Sequence, residues 1–514
     1  MHTPTVHAQP RRRLAATLLD RPALLLLAGI VAAVCAFQLY QTPGNPPGFH
    51  RDEASLAYNA WTISRDFRDQ DGGFAPLYIV SYHDYKSPLF VYALAGVFRV
   101  VHPSAGAARE LGAVLVLAAI LALGLLAYRR TRSLAIAGVV VALGGLTPWL
   151  YELGRTAFEA TMEPLVIALL LLAVDRAFRS RQDTLLRGLP PGVALGALTY
   201  VYAGGRLLAP LYALALLVFA GRGRRRRLAG AWGAFALTLA PLALYWHDHP
   251  GALTARYRST TFVHDGMSRL EIVRTGVWNY LRDVSPWHWV VSGDPKPYIH
   301  SWGAGQLHGA VVVLAAAGAV VVLARRRDRF WLFVIAMLLL SPIPAALTGD
   351  RHHALRLLPL PVLALVLAIP GLQLVVELVR RPGAARWATT AAALVLAGGV
   401  VVQVVWFERY YDLNGRNRAA FFEADVPPLL ARAFASTGTI YVDFDDRYAQ
   451  TQALWYAASH GIDTARVSIL PDGGIPPKGS LVFGRVQACD FVCTTVGTAE
   501  DYWVARAEGP KPAS

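Results

Sequence analysis

The sequence predicts an α-helical membrane protein with about eleven transmembrane helices, followed by a small soluble α/β domain. Of 514 residues, 55% are hydrophobic and 16% are charged, whereas soluble domains carry about 25% charged residues. Apolar runs recur between Leu24 and Trp406, and a helix of about 20 residues crosses the roughly 30 Å hydrocarbon core of a bilayer. The composition becomes that of a soluble protein from about Glu408. These observations exclude an ordinary soluble enzyme, a disordered chain and a disulfide scaffold.

The basic residues predict the orientation in the membrane. Lys and Arg total 49 against 34 Asp and Glu, a net charge of +15. The arginines cluster in short segments at 11–13, 129–132, 176–187, 222–227, 325–329 and 380–386. Successive clusters are separated by two apolar spans, so all fall on one face, and positive short loops mark the cytoplasmic side. Such turns offer no continuous basic surface, so nucleic acid is not an expected partner.

The apolar runs define the individual elements in order. The predicted spans are 22–41, 107–127, 133–150, 161–178, 188–203, 206–221, 228–246, 307–324, 330–347, 354–378 and 387–407. With the N-terminus in the cytoplasm, eleven crossings place the C-terminus outside. Residues 1–407 form the predicted membrane domain, with long outer loops at 42–107 and 246–306. Amphipathic stretches at 54–63, 89–101 and 270–278 predict helices that lie in the membrane interface.

Residues 408–514 predict an extracytoplasmic α/β domain. Strands are expected at 438–443, 480–484 and 501–505, and a helix at 448–459. About 100 residues suffice for a domain with its own core. Cys489 and Cys493 would lie in an oxidising compartment, which favours a disulfide between them. Cys35 lies inside the first span and is expected to be a packing residue.

Ionisable residues at the outer ends of the spans are the candidates for chemistry, because charges there are costly to bury. Asp52 and Glu53 follow the first span, beside Arg51 and ahead of Tyr58. Adjacent carboxylates at a helix start can simply complement its dipole. The alternative is a general base at the lipid–water boundary.

Several cations fall on the same face. Lys86 precedes an apolar helix, where it can either extend to the headgroups or contact a phosphate. Arg155 could pair with Glu159 four residues on, yet an arginine is not expected in an outer turn. Arg206, which follows Tyr202, and Arg356 repeat this pattern. Together with Lys86, these arginines could converge on an anion.

The histidines do not predict a catalytic metal. Most of the 14 lie in the predicted outer half, but none shows a zinc-enzyme spacing such as His-Glu-x-x-His. Hydrogen-bonding roles are favoured, with a divalent metal left open as an alternative.

The residues taken together resemble the GT-C membrane glycosyltransferases that use polyprenyl-phosphate sugars (family 39-like), a group that includes protein O-mannosyltransferases and lipid A aminoarabinose transferases. Asp52 and Glu53, followed by Tyr58, resemble the first-loop motif of that group. Residues 86–89, Lys-Ser-Pro-Leu, resemble its Lys-Pro-Pro-Leu motif, with Ser87 in place of the first proline. Residues 155–159 resemble its second-loop acidic motif. Residues 293–305 and 343–356 are typical of bacterial members.

The resemblance implies a GT-C fold in the bacterial cytoplasmic membrane. It also implies inverting transfer of a sugar from a polyprenyl-phosphate donor to a hydroxyl of a glycan, lipid or protein on the outer face. Asp52 would be the general base, with Glu53 and Glu159 as acidic partners and Glu159 as the alternative base. Lys86, Arg206 and Arg356 would bind the donor phosphate. The expected substrate cavity also contains Arg51, Tyr58, Tyr82, Arg155, Tyr202 and His300.

Two other classes of protein remain as alternatives. A transporter or flippase of a lipid-linked sugar would bury its charges at mid-membrane and show inverted repeats. An interaction or sensor protein that acts through its C-terminal domain would tolerate changes to the charged loop residues. The crowding of charges at the outer ends of the spans favours the transferase.

Overall fold

A computed structural model describes residues 21–82, 84–326, 328–443, 445–471, 474–485, 491–499 and 501–510. In chain order its α-helices are α1 Arg21–Leu39, α2 Arg51–Asp66, α3 Pro88–Phe98, α4 Ala105–Thr131, α5 Leu134–Gly145, α6 Pro148–Gly154, α7 Glu163–Arg179, α8 Leu185–Val201, α9 Gly205–Ala215, α10 Arg225–Thr238, α11 Ala240–Asp248, α12 Ala252–Thr260, α13 Arg269–Asp283, α14 Gly309–Val321, α15 Arg329–Leu340, α16 Ile343–Ala346, α17 Pro359–Val379, α18 Ala384–Asn417, α19 Val426–Phe434 and α20 Arg447–Ser459. The strands are β1 Ile79–Ser81, β2 Asp84–Lys86, β3 Ile440–Val442, β4 Val467–Ile469, β5 Leu481–Arg485, β6 Phe491–Ala499 and β7 Tyr502–Pro510.

The helices form a multi-pass membrane bundle, as the sequence predicts. Among the described residues, six helices are long and apolar enough to cross a membrane, or seven if the bent pair α5 and α6 counts as one span. Each predicted span overlaps a described helix, but several of these helices are shorter than a full crossing. The count of eleven crossings therefore stays a prediction.

Helix α17 is the centre of the bundle. Its residues 359–371 are all buried, as expected for a helix that is apolar on every side and surrounded by other helices. It packs closely on α14, because a Cβ at Gly318 or Gly371 would overlap backbone oxygen of the other helix. Small residues permit this kind of close approach between membrane helices. Helix α18 is also apolar, yet only 6% of its apolar window is buried, so it presents its side chains to lipid.

The two long loops meet at one end of the bundle, called here the loop end. The first loop, residues 42–107, contains α2, α3 and a hairpin of β1 and β2, which pair antiparallel with Ile79 opposite Lys86. The predicted interfacial stretch at 54–63 lies within α2, and the stretch at 89–101 begins in α3, which ends at Phe98. The second loop contains α12 and α13. Helix α2 is more buried than an interfacial helix, because one face packs on α3 and another on α20.

The C-terminal residues form a five-stranded mixed sheet in the order β4-β3-β5-β7-β6. Strand β3 pairs parallel with β4 and β5, whereas β7 pairs antiparallel with β5 and β6. Helices α19 and α20 supply apolar side chains to the core of this sheet. The predicted strands and helix are present, while β4, β6 and α19 are additional. Cys489 lies outside the described residues, so its disulfide with Cys493 stays a prediction.

A helix runs across the predicted boundary between the membrane part and the C-terminal part, which stays a prediction. Helix α18 continues ten residues beyond position 407, to Asn417. The fall in hydropathy at Glu408 reflects a change in the side chains along one helix, and such a change need not coincide with the end of the helix. The predicted division at 407–408 therefore lies inside a helix.

Candidate active site

Asp52 lies in the first turn of α2 because residues 50–53 build a complete helix cap. The His50 ring Nδ1 accepts a hydrogen bond from Asp52 N at 3.1 Å, and Glu53 Oε2 accepts one from His50 N at 2.9 Å. This reciprocal capping box satisfies two backbone donors that the helix start would otherwise leave unpaired. The Asp52 side chain is 35% exposed, so a solute in the adjoining space can reach its carboxylate.

The hairpin of the first loop brings Lys86 to this carboxylate. Lys86 Nζ lies 3.3 Å from Asp52 Oδ1 and 3.8 Å from Asp84 Oδ2. Lys86 itself is buried. The structure therefore brings together two residues that are 34 positions apart in the chain.

Ser87 joins Glu159 to the same group. Its backbone N–H donates to Glu159 Oε2 at 2.8 Å, a bond that a proline could not form because it has no backbone N–H. The departure from the family motif at Ser87 thus supplies a contact of its own. Glu159 begins a short 3₁₀-helix, Glu159–Met162, at the loop end.

Arg256 is a residue of this site that the sequence analysis did not identify. It lies on α12 in the second long loop, and its Nη1 contacts Asp84 Oδ2 at 2.8 Å with the side chain 38% exposed. No motif distinguishes Arg256 from Arg258 on the same helix, so the sequence offers no usable signal. Arg256 reaches Asp84 only because the second long loop folds over the first.

These side chains line two neighbouring cavities, called here the acidic lobe and the arginine lobe. The acidic lobe has a volume of about 60 Å³, and its charged lining comprises Asp52, Asp84, Lys86, Glu159 and Arg256, with His353 also present. The arginine lobe has a volume of about 290 Å³ and is lined by Arg206, Arg256 and Arg356 among mainly apolar residues. Tyr202, Ala203 and Arg256 line both lobes. Among described residues, no carboxylate lines the arginine lobe.

Two of the three described carboxylates of the acidic lobe, Asp52 and Glu159, have different protonation properties. Burial alone would raise the pKa of Asp52, but Lys86 and then His50 outweigh it and lower the pKa to about 2. Burial raises the pKa of Glu159 to about 7, against the opposing charge of Lys86. The pKa of Lys86 lies above its usual value, because Asp52, Glu159 and Asp84 outweigh the effect of burial. The lobe therefore holds one firmly ionised carboxylate and one that titrates near neutrality.

The predicted phosphate-binding arginines take different positions in the arginine lobe. Arg206 donates from Nη1 to Leu253 O at 2.9 Å, while its buried Nε and Nη2 have no hydrogen-bond partner. Arg356 is paired with Asp350 Oδ2 at 2.6 Å and donates to Thr348 Oγ1 at 2.7 Å. Arg206 therefore retains more free donor capacity than Arg356.

Three residues predicted to line the cavity are instead buried in structural networks. Glu53 is fully buried and pairs with Arg109 at 2.9 Å, while its Oε1 accepts from Ala157 N at 2.9 Å. Arg155 donates to Thr42 and contacts Tyr151. His300 lies 2.6 Å from Glu152 Oε2 and 2.8 Å from Ala304 O. Each of the three side chains is buried and bonded to other parts of the protein, although Arg155 Nε has no hydrogen-bond partner.

Three others lie where the C-terminal domain contacts α2. Arg51 pairs with Glu423 at 2.9 Å. The Tyr82 hydroxyl donates to Arg51 O at 2.7 Å. Tyr58 stacks on Trp61 and lines a separate groove beside α20. The structure therefore does not place them with Asp52, although Arg51 is its neighbour in sequence.

A metal site is not evident at this end of the bundle. Within the part of the chain that the structure describes, no three His, Cys, Asp or Glu side chains group closely enough to hold a metal ion. The histidine of the acidic lobe, His353, has a pKa well below its usual value because of burial and then the nearby Arg356.

The helical bundle, its two long loops and the sheet domain at the loop end give the chain the GT-C fold, the architecture of membrane glycosyltransferases. Similar solved structures support this assignment of the fold. ArnT from Cupriavidus metallidurans bound to undecaprenyl phosphate matches with a TM-score of 0.56 at 11% identity, over 95% of this chain and 99% of that one. The same protein in the apo state matches with a TM-score of 0.55 at 14% identity, over 97% and 100%.

A third structure extends the likeness to a second kind of transferase. The oligosaccharyltransferase of Archaeoglobus fulgidus in its apo form matches with a TM-score of 0.51 at 14% identity, over 88% of this chain and 64% of that one. No family model and no curated protein sequence matches the chain. The predicted fold class and the resemblance to GT-C proteins are thus confirmed by the fold.

Proposed function

We propose that the protein is an inverting glycosyltransferase that moves a sugar from a polyprenyl-phosphate donor to an acceptor hydroxyl at the outer face of the cytoplasmic membrane. The observation that carries the proposal is the contact of 3.3 Å between Asp52 and Lys86 in the acidic lobe, which shares Arg256 with the arginine lobe. The fold shared with ArnT supports it, since that protein has been solved with undecaprenyl phosphate.

The arginine lobe suits the phosphate and the start of the lipid. Arg206 and Arg256 offer cationic donors, and the rest of the lining is largely apolar. Guanidinium groups bind phosphate oxygens through charge-assisted hydrogen bonds. Because no carboxylate among the described residues lines this lobe, an anion there would meet little repulsion.

The acidic lobe suits the reacting end of the acceptor. The acceptor oxygen attacks the anomeric carbon, and its proton passes to the Asp52 carboxylate. The bond from the anomeric carbon to the phosphate oxygen breaks, and its electron pair stays on that oxygen, releasing polyprenyl phosphate. A single displacement of this kind inverts the anomeric centre.

Lys86 would compensate the movement of charge during this step. Negative charge leaves Asp52 as it takes the proton and grows on the departing phosphate. A fixed ammonium beside Asp52 and close to Arg256 can stabilise the charge at its destination, which lowers the barrier if it binds the transition state better than the ground state. Binding of the donor phosphate to Lys86 would also weaken its hold on Asp52 and raise the pKa of that carboxyl, making it a better base.

The positions of the charged residues support a transporter less well than a transferase. The charged residues lie at the loop end, on α2, the hairpin, the 3₁₀-helix and α12, rather than on broken helices near the bundle centre. The centre is occupied by α17, whose first thirteen residues are buried. Deleting the gene and finding which cell-envelope glycans disappear would identify the sugar and the acceptor.

Binding of the lipid phosphate tests the proposal. Detergent-purified protein should bind undecaprenyl phosphate, and Lys86→Ala and Arg256→Gln should each weaken binding by about tenfold or more, a loss of about 1.4 kcal/mol or more. Arg258→Gln is the matched control, since Arg258 lies on the same helix and bonds only to Gly251 and Thr254 of its own turns. Equal affinity in all four proteins would contradict the proposed phosphate site.

A further inference from the structure

The C-terminal domain contacts the chain segment that carries Asp52. Residues 48–52, called here the base segment, comprise the three residues before α2, including its cap His50, and the first two residues of the helix. Contacts from α20 and from the turn before α19 reach this segment at several consecutive positions. These contacts join residues separated by roughly 370 to 400 positions, so only the folded domain can supply them.

Glu423 is the centre of this contact. Its side chain is 5% exposed, and its Oε1 pairs with Arg51 Nε at 2.9 Å. The Tyr502 hydroxyl donates to the same oxygen at 3.2 Å, and Gln452 Nε2 donates to Oε2. Glu423 also adopts φ +54°, a left-handed conformation that is uncommon for a non-glycine residue. A buried carboxylate with this many donors holds its partner in a single position.

The C-terminal domain also contacts the neighbouring positions of the base segment. Gln452 also donates to Phe49 O at 3.4 Å. The Arg51 guanidinium lies 5.0 Å from the centre of the Tyr448 ring. Gly48 has φ +85°, and a Cβ there would overlap the backbone of Phe422 and Ala424. The domain thus fits against both the backbone and the side chains of the segment.

We propose that the C-terminal domain completes the active site by positioning Asp52, and that Glu423 is the positioning residue, acting through Arg51. The inference rests on the proposed function, because it assigns Asp52 to the acceptor proton. Arg51 and Asp52 are consecutive in the first turn of α2, so a shift of the Arg51 backbone moves the carboxylate. A catalytic group displaced by about 1 Å can lose roughly 100-fold in rate.

Hydrogen exchange tests the contact without relying on activity. In Glu423→Gln, which retains the size of the side chain but removes the charge, backbone amides in residues 48–54 should exchange at least about tenfold faster, while β5 keeps its protection. Arg447→Gln is the control. It removes a contact of 3.7 Å to Asp71 between the same domain and the same loop, and it should leave residues 48–54 unchanged. No change in Glu423→Gln, or an equal change throughout β5, overturns the proposal.

Kinetics distinguish positioning from mere support of the fold. Glu423→Gln should lower kcat per folded molecule by about tenfold while KM for the polyprenyl-phosphate donor stays within about twofold, because the arginine lobe is untouched. An unaltered kcat would overturn the proposal even if the protein were less stable. If the wild-type protein releases no polyprenyl phosphate from any donor, the proposed function is wrong. The hydrogen-exchange result does not depend on activity, so it still tests the contact of Glu423 with the base segment in that case.

Discussion

At the scale of single residues, the environment of each carboxylate indicates its role better than its place in a motif does. Asp52 and Glu53 are adjacent in sequence, yet Asp52 reaches the cavity and Glu53 is fully buried against Arg109. Glu159 shares the lobe with Asp52 but has a much higher pKa, about 7, because burial outweighs the charge of Lys86 there, whereas Lys86 and His50 outweigh burial at Asp52. Three acidic residues of one predicted site therefore divide into a partly exposed carboxylate that is the proposed base, a structural ion-pair partner and a group that titrates near neutrality.

The raised pKa of Glu159 predicts a pH-dependent cost to stability. Its folded pKa of about 7 exceeds the ordinary value of 4.5, so the folded state retains the proton between these values. Retaining this proton stabilises the folded state. The stabilisation is fully present below about pH 4.5 and is lost as the pH rises through 7, which lowers the free energy of unfolding by about 3 kcal/mol in total. Glu159→Gln remains neutral and can still accept the Ser87 N–H. Its unfolding free energy relative to wild type should therefore rise between about pH 4.5 and pH 8, as measured by denaturation at each pH.

A difference that stays constant over this pH range would show that Glu159 ionises normally. The same experiment on Glu110→Gln serves as a control, because Glu110 is exposed and its removal should add no pH dependence of this size.

The sequence predicts which residue types meet at the site but not which of them are already paired. Hydropathy and motif order were sufficient to select Asp52, Lys86 and Glu159, which the structure brings to one lobe. They could not show that Glu53 finds a partner 56 positions away in Arg109, or that His300 bonds to Glu152. Arg256 had no signal, because its role depends on a contact between two loops.

At the scale of elements, the first turn of α2 carries both the proposed base, Asp52, and a structural ion-pair residue, Glu53. Its cap, its dipole and the Glu53–Arg109 pair fix the start of the helix, and α4 supplies the arginine. Glu53 Oε1 also accepts from Ala157 N, which joins α2 to the turn that leads to Glu159. Glu53 therefore orients both acidic segments without facing the cavity.

This role of Glu53 predicts a loss of stability rather than a specific loss of chemistry. Glu53→Gln leaves the buried Arg109 charge without its counter-charge, which typically costs about 3–5 kcal/mol. The melting temperature and the folded yield should fall, whereas the pH profile of the remaining activity should keep its shape. A Glu53→Gln protein that is as stable as wild type but inactive would instead support the catalytic role that its motif implies.

At the scale of the whole molecule, the apolar patterning predicts the membrane bundle and leaves the arrangement of its parts undetermined. Period and length suffice to place a helix at every predicted span, because lipid requires long apolar helices. They cannot show that α17 is central and α18 peripheral, since both contain an apolar stretch long enough to cross a membrane. The docking of α20 on α2 was also not predictable, because it depends on side chains such as Trp455 that meet Phe49 and Phe98 only after folding.

The arginine clusters predict how the whole molecule sits in the membrane. They place the short basic turns in the cytoplasm and the loop end, with its cavity, outside. An alkaline phosphatase fused after Ser514 should therefore be active, and a cytoplasmic reporter at the same position should be inactive. The opposite pattern would move the cavity to the cytoplasmic face and remove the basis for an outer-face reaction.

Release of polyprenyl phosphate by purified protein tests the central claim most directly. Wild-type protein in liposomes, supplied with polyprenyl-phosphate sugars and a cell-envelope extract as acceptor, should release the lipid phosphate. Asp52→Asn should lower the rate by about 100-fold or more, since a general base contributes about 10² to 10⁴, and Asp66→Asn at the exposed far end of α2 should not. Equal rates in wild type and Asp52→Asn, with both proteins folded, would contradict the account.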